Sequence, residues 1–164
     1  MAFVTHTFEA FYNHDSEILI LGSMPSVKSR ELGFYYMHPQ NRFWLVLSMV
    51  FQEEVPSSIH DKKDFLIRHK IALWDVIKTC TINGSSDASI KNVKVNDIAS
   101  IIKKSNIKRI YTTGKKAHEL YYKYCYKDTL MDAVCLYSPS CANCKYSIND
   151  LVDNYKKIKT SQFK

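Results

Sequence analysis

Short apolar runs, separated by segments of mixed polarity, mark the predicted strands of this chain. Residues 17–22, EILILG, are continuously apolar after Glu17 and end in glycine. That pattern is typical of a buried parallel strand that leads into a tight loop. Shorter apolar runs at residues 71–74, 107–112 and 133–137 predict three further strands.

The segments between these runs predict helices and one long loop. Polar residues dominate 75–94, which predicts a loop, and Asn96 is placed to cap the N-terminus of the helix that follows it. The predicted helices cover residues 5–13, 41–51, 59–69, 97–105, 115–126 and 146–159.

The alternation of strands and helices predicts an α/β fold. We expect one three-layer α/β/α domain over residues 1–164, with a central, mostly parallel four-stranded sheet. Ligands of such sheets bind at the carboxyl ends of the strands. The loops at residues 22–40 and 138–145 both follow predicted strands, so we expect them to converge on one site.

The net charge of the chain adds only modest evidence about its partner. The 164 residues carry a net charge of +7, which favours a polyanionic partner such as nucleic acid. A composition rich in Lys, Ile, Asn and Tyr is also what an AT-biased genome produces, so the charge alone is weak evidence. No apolar run approaches the roughly 20 residues that cross a bilayer, and the N-terminus lacks a secretion signal. We therefore expect an intracellular protein, cytoplasmic or, in a eukaryote, nuclear.

The cysteines predict neither a disulfide framework nor a metal site. Their number is odd and their spacing irregular, which suits a reducing compartment. Cys141 and Cys144 form a single CxxC, and a structural zinc site would need a second pair of ligands. We therefore expect no metal.

The loop after the first strand contains the candidate chemistry. It reads GSMPS at residues 22–26 and FYYMHPQNRFW at residues 34–44. Small residues and prolines let backbone amides approach a ligand closely. Aromatic side chains beside such donors suit a base extracted from nucleic acid, which needs stacking on its face and hydrogen bonds at its edge.

These motifs resemble the uracil-DNA glycosylase superfamily. GSMPS followed by YYMHPQNRFW looks like its first motif, in the form of the mismatch-specific and hypoxanthine-DNA glycosylase branches. ALWDVI at residues 72–77 and GSSDASI at residues 84–90 look like central segments of the hypoxanthine branch, and LYSPSCAN at residues 136–143 resembles its second motif.

The resemblance implies a monofunctional DNA-repair glycosylase. Such an enzyme flips a deaminated base, hypoxanthine first, out of DNA, hydrolyses its N-glycosidic bond and leaves an abasic site. It needs no cofactor, and we expect it to act as a monomer. Two alternatives stay open: a glycosylase of the same superfamily that acts mainly on uracil or mismatched bases, and a noncatalytic nucleic-acid-binding module.

The chain departs from the family pattern at two positions. Uracil-specific relatives usually carry Asn or Asp where this chain has Met24, which cannot hold or activate water. The hypoxanthine branch also lacks that polar residue and relies on the Asn of HPxNxFW, which is Asn41 here, and Asn41 is equally placed to cap a helix. Cys141 stands where the family favours proline.

The resemblance also implies roles for further residues. Tyr36 would stack on the flipped base, the backbone of Ser23 and Met24 would contact the base or the water, and the loop with Ser138, Ser140 and Asn143 would press into the duplex. Asp75 follows a strand, so it either faces the pocket or caps a turn. Candidates of second rank are Ser26, His38, Ser85 and Asp87; His38 is equally explained by a structural role, and Ser85 and Asp87 by a polar surface loop.

Overall fold

The structure is a computed structural model that describes residues 2–84 and 86–161, without the side chains of residues 160 and 161. Ser85, a candidate of second rank, therefore lies outside the described residues. The strands are β1 Ala2–Thr5, β2 Ile18–Gly22, β3 Ile71–Asp75, β4 Ile77–Ile82, β5 Lys91–Val95, β6 Arg109–Thr113 and β7 Ala133–Leu136. The helices are α1 Val27–Leu32, α2 Phe43–Val50, α3 Ile59–Arg68, α4 Ile98–Lys103, α5 Lys115–Leu120, α6 Tyr126–Thr129 and α7 Ile148–Ser161.

Four parallel strands form the central sheet, in the order β3-β2-β6-β7. All four were predicted from their apolar runs, and the predicted α/β class with a parallel four-stranded sheet is confirmed. The register pairs Gly22 with Asp75 and Thr113 with Leu136, so the carboxyl ends of the strands lie along one edge. The two loops that we expected to converge both leave from this edge.

Side chains alternate between the two faces of the central sheet, as a fully buried strand requires. Ile18 and Ile20 of β2 pack in a core cluster with α2, α3 and α7. Leu19 and Leu21 of the same strand pack in a second cluster, which includes residues of α4 and α5. Helices thus flank the sheet on both sides.

A second sheet, which we did not predict, contributes to the second cluster. It is antiparallel, in the order β1-β4-β5. The prediction of a helix at residues 5–13 was wrong, because β1 ends at Thr5 and Phe11 then forms an isolated antiparallel bridge with Leu73. The loop predicted at residues 75–94 was also wrong: it contains β4, a 3-10 turn at Asp87–Ser89 and the start of β5.

Two predicted helices differ in smaller ways from those of the structure, at a cap and at a division of the helix. The side chain of Asp97, not of Asn96, caps α4 by accepting from the backbone N–H of Ser100. The Asn96 amide instead donates to the carbonyls of Asp75 and Ile77 and so ties the two sheets together. The helix predicted at 115–126 is divided into α5, a π-helical turn and α6. None of the described helices is long and apolar enough to cross a membrane.

Candidate active site

A pocket with a volume of about 110 Å³ opens at the carboxyl edge of the parallel sheet. The loop after β2, the ends of β3 and β6, the turn between β4 and β5 and the loop after β7 all contribute to it. Most of the site residues predicted from the sequence line it: Ser23, Met24, Ser26, Tyr36, Asn41, Asp75, Asp87, Ser138 and Ser140.

Gly22 lets these groups approach one another. It ends β2, and a methyl group in place of its hydrogen would collide with Oδ1 of Asp75 and lie 3.3 Å from the Tyr36 hydroxyl. Any larger residue would therefore push the carboxylate or the backbone out of place. The GSMPS segment needs glycine at its first position for this reason.

Tyr36 presents an aromatic ring that is fixed from one side. Its ring stacks on Phe43, the first residue of α2, with 3.8 Å between centroids, and its hydroxyl is hydrogen-bonded to the Thr113 hydroxyl at 3.0 Å. Burial, followed by the charge of Asp75, raises the pKa of Tyr36 well above its ordinary value, so the hydroxyl stays neutral. The backbone of Tyr36 is left-handed, with a φ of 55°.

Asn41 contacts the start of α2 and also lines the pocket. Its side-chain oxygen accepts from the backbone N–H of Phe43 at 2.9 Å and so satisfies the first N–H of α2 from the position before the N-cap residue, Arg42. The same bond orients the amide, so that its nitrogen remains as a hydrogen-bond donor at the pocket.

Asp75 lies deep in the pocket and faces it rather than capping a turn. Its side chain is 5% exposed, and Oδ2 is 2.8 Å from Nε2 of His6, whose side chain is also buried. His6 follows β1, so the second sheet supplies the partner of this carboxylate. Nδ1 of His6 is buried and has no hydrogen-bond partner among the described residues.

Asp87 lies at the rim of the pocket. The residue as a whole is exposed, but its Oδ1 accepts a 2.8 Å hydrogen bond from the hydroxyl of the buried Ser23. Desolvation raises the pKa of Asp87, and the charge of Asp75 adds to this, whereas the Ser23 hydrogen bond and Lys116 oppose it. The pocket therefore holds two carboxyl groups at different depths.

Arg42 fastens the loop after β7 to the start of α2. Its guanidinium donates to the carbonyls of Tyr146, Ser140 and Asn143 at 2.7, 3.1 and 2.8 Å. Its backbone N–H donates to the carbonyl of Pro139 at 3.0 Å. Both ends of the loop at residues 138–146 are thus held beside Asn41.

Other predicted residues have structural contacts. Asn143 does not line the pocket; its amide donates to the Ser138 carbonyl at 3.0 Å. His38 also lies outside the pocket lining, and its Nδ1 accepts from the backbone N–H of Gln40. Ser26 lines the pocket and also caps α1, because its hydroxyl accepts from the backbone N–H of Ser29.

Several residues that shape the site were not predicted from the sequence. The fold brings Thr113 into the pocket lining and His6 against Asp75, and both lie far from the motifs. Tyr35 also lines the pocket, and its signal was its place beside Tyr36 in the first motif. Arg42 stands next to Asn41 inside HPQNRFW, so its position in that motif was the available signal. No group of three or more His, Cys, Asp or Glu suitable for a metal occurs in the part of the chain that the structure describes. Cys141 and Cys144 are exposed there.

The family follows from comparison with known proteins. A model of the uracil DNA glycosylase superfamily matches residues 9–159. The chain belongs to this superfamily and is a DNA glycosylase.

Individual relatives come from two Methanosarcina species. A hypoxanthine DNA glycosylase of Methanosarcina barkeri is 37% identical over 115 residues, which are 68% of this chain and 72% of that protein. A hypoxanthine DNA glycosylase of Methanosarcina acetivorans is 33% identical over 144 residues, 87% of this chain and 90% of the relative. A solution NMR structure of a candidate uracil DNA glycosylase from Methanosarcina acetivorans superposes with a TM-score of 0.79 at 28% identity, over 96% of this chain and 99% of that one.

Proposed function

We propose that this glycosylase removes deaminated bases from DNA, hypoxanthine first, and leaves an abasic site. The convergence of Tyr36, Asn41 and Asp75 on one pocket carries the proposal, because these groups offer stacking, a donor and an acceptor to a single flat ring. The two relatives that are hypoxanthine DNA glycosylases support hypoxanthine as the preferred base.

The size of the pocket supports binding of a base without its sugar. Pockets for whole drug-sized ligands have volumes of roughly 300–1,000 Å³, whereas this one has about 110 Å³. Enzymes that act on a base inside a duplex rotate the nucleotide out of the stack to reach it. We therefore propose that the base enters the pocket against Tyr36 while its sugar and phosphates stay outside.

The carboxylate of Asp75 suits a feature that deaminated bases share. Deamination of adenine converts ring atom N1 from a hydrogen-bond acceptor into an N–H donor, and deamination of cytosine does the same at N3. An ionised carboxylate only accepts hydrogen bonds, so Asp75 would pair with the ring N–H of the deaminated base, whereas it would meet an acceptor at N1 of adenine or N3 of cytosine. His6 holds the other carboxylate oxygen in place.

Asn41 would assist departure of the base. Negative charge grows on the base as the bond to the sugar breaks, and a donor fixed in place stabilises that charge. The nitrogen of Asn41 is such a donor, because its oxygen is bound to the start of α2. The half-buried Met24 has no polar group that would hold water, which favours hypoxanthine over uracil as the main substrate.

We further propose that the enzyme works as a monomer and acts inside the cell, where its DNA substrate is.

We also propose that the enzyme is monofunctional. No lysine occurs among the described residues that line the pocket. Lys28 lies near Glu31, and Lys145 lies over the ring of Tyr146. The loop with Ser138 and Ser140 would press into the duplex beside the extruded nucleotide.

Oligonucleotides that contain one inosine, one uracil or only normal bases test the proposal. After incubation with the enzyme and treatment with alkali, we expect strand breaks chiefly at inosine. Breaks mainly at uracil would support a uracil-directed enzyme, and tight binding without any cleavage would support a noncatalytic module; either result contradicts the proposal.

A further inference from the structure

Hydrolysis of the glycosidic bond needs a group that the base-binding residues do not supply. Positive charge develops on the sugar, and the water that attacks C1′ must lose a proton. Asn41 can orient water, but a neutral amide is a very weak base and does not keep a proton. This inference rests on the proposed function, and it concerns the sugar side of the pocket.

Two carboxyl groups line the pocket among the described residues, and they lie at different depths. Asp75 is at the floor, 3% exposed, with one oxygen bound to His6. Asp87 is at the rim, on the turn between β4 and β5. A base whose edge reaches Asp75 places its sugar at the mouth, because the glycosidic bond points away from the base edge that Asp75 reads. Asp87 is therefore the carboxyl group on the sugar side.

The position of Asp87 is fixed by two sets of contacts. Ser23 donates to its Oδ1 from the loop after β2. Its own turn is held by the hydroxyl of Ser89, which accepts from the backbone N–H of Asn83 at 2.8 Å and donates to the carbonyl of Ser86 at 2.7 Å. A carboxyl group held in this way can meet a water molecule without first losing conformational freedom.

We propose that Asp87 accepts the proton of the attacking water and stabilises the positive charge on the sugar. In this step the water oxygen forms a bond to C1′ as the bond between C1′ and the base nitrogen breaks. The electron pair of that bond leaves with the base, and the water proton moves to the Asp87 carboxylate. The base anion is then protonated from solvent, and Asp87 returns its proton to solvent.

The charges around Asp87 agree with this role. Desolvation and the neighbouring Asp75 raise its pKa, while the hydrogen bond from Ser23 and the charge of Lys116 lower it; the net direction is upward. A base accepts protons best when its pKa lies near the working pH. The rate should fall as the pH is lowered through this raised pKa, because the protonated carboxyl group no longer accepts.

The experiment measures single-turnover cleavage of inosine DNA by Asp87→Asn and Asp87→Glu. We expect Asp87→Asn to lower the maximal rate constant by about 10²- to 10⁴-fold, with little change in the DNA concentration that gives half the maximal rate. The acid limb of the rate–pH profile should disappear with it. Asp87→Glu keeps a carboxylate, so it should recover part of the rate and keep the acid limb.

Asp153→Asn is the matched control, because it removes an acidic residue that is exposed on α7, away from the pocket. It should leave the rate and the pH profile unchanged. The inference is overturned if Asp87→Asn keeps both the wild-type rate and the acid limb, or if its whole loss lies in DNA affinity. Failure of the wild-type enzyme to cleave at inosine would instead contradict the proposed function.

Discussion

At the scale of single residues, the proposed chemistry requires Asn41 to cap α2 with its oxygen and donate with its nitrogen. The substitutions Asn41→Asp and Asn41→Ala separate the two roles. Asn41→Asp keeps a capping oxygen but has no donor, so we expect unchanged stability and a turnover reduced by about 10²- to 10³-fold. Asn41→Ala loses both, and the lost hydrogen bond to Phe43 should also lower its free energy of unfolding by about 1 kcal/mol.

Thermal unfolding and single-turnover assays of both variants provide the measurement. If Asn41→Asp turned over as fast as the wild-type enzyme, the role of Asn41 would be limited to capping α2. A turnover loss in Asn41→Ala alone, in proportion to its lost stability, would lead to the same conclusion.

Residues within one contiguous motif could be predicted from the sequence, and residues brought in from a distance could not. Tyr36 and Asn41 stand five positions apart in YYMHPQNRFW, and both line the pocket. His6 bonds to Asp75 across 69 positions. That contact depends on the pairing of β1 with β4, which no local pattern in the sequence indicates.

At the scale of secondary-structure elements, Arg42 couples the start of α2, which orients the Asn41 amide, to the loop that we propose enters the DNA. Arg42→Lys keeps the charge but cannot reach three carbonyls with one planar group. Hydrogen bonds from a charged group contribute about 1.5–3 kcal/mol each. We expect Arg42→Lys to lower the free energy of unfolding by about 2 kcal/mol or more and to weaken binding of inosine DNA.

Hydrogen exchange of the backbone amides at residues 140–146 would locate the effect. Faster exchange in Arg42→Lys, confined to this loop, is the expected result. Exchange and DNA affinity equal to those of the wild-type enzyme would show that the loop is held by other contacts, such as the stacking of Tyr137 on Tyr146.

The four strands of the central sheet were predicted from the sequence, and the three strands of the second sheet were not. All five residues of β2 are buried, so its apolar run was visible in the sequence. In β4, by contrast, buried Ile77, Cys80 and Ile82 are interspersed with Lys and Thr, and β5 has no fully buried residue. The polar side chains of this half-exposed hairpin suggested a loop, so Asp87 was predicted only as a candidate of second rank.

At the scale of the whole molecule, we propose that the chain folds as one domain. The central sheet contributes to both core clusters, because successive residues of β2 point to opposite faces. Loss of either cluster would expose one face of the same strand. We expect one cooperative transition in urea, with coincident midpoints from far-UV circular dichroism and tryptophan fluorescence. Two separate midpoints would contradict this proposal.

The central claim is that a base held between Tyr36, Asn41 and Asp75 is hydrolysed from its sugar, and detection of the released base tests it most directly. Duplex DNA with a single inosine is incubated with excess enzyme, and free hypoxanthine and abasic sites are quantified in the same sample. We predict equal amounts of the two products from the wild-type enzyme and almost none from Asn41→Asp. Wild-type enzyme that binds this DNA but releases no hypoxanthine, or releases it equally well without the Asn41 amide, would contradict the claim.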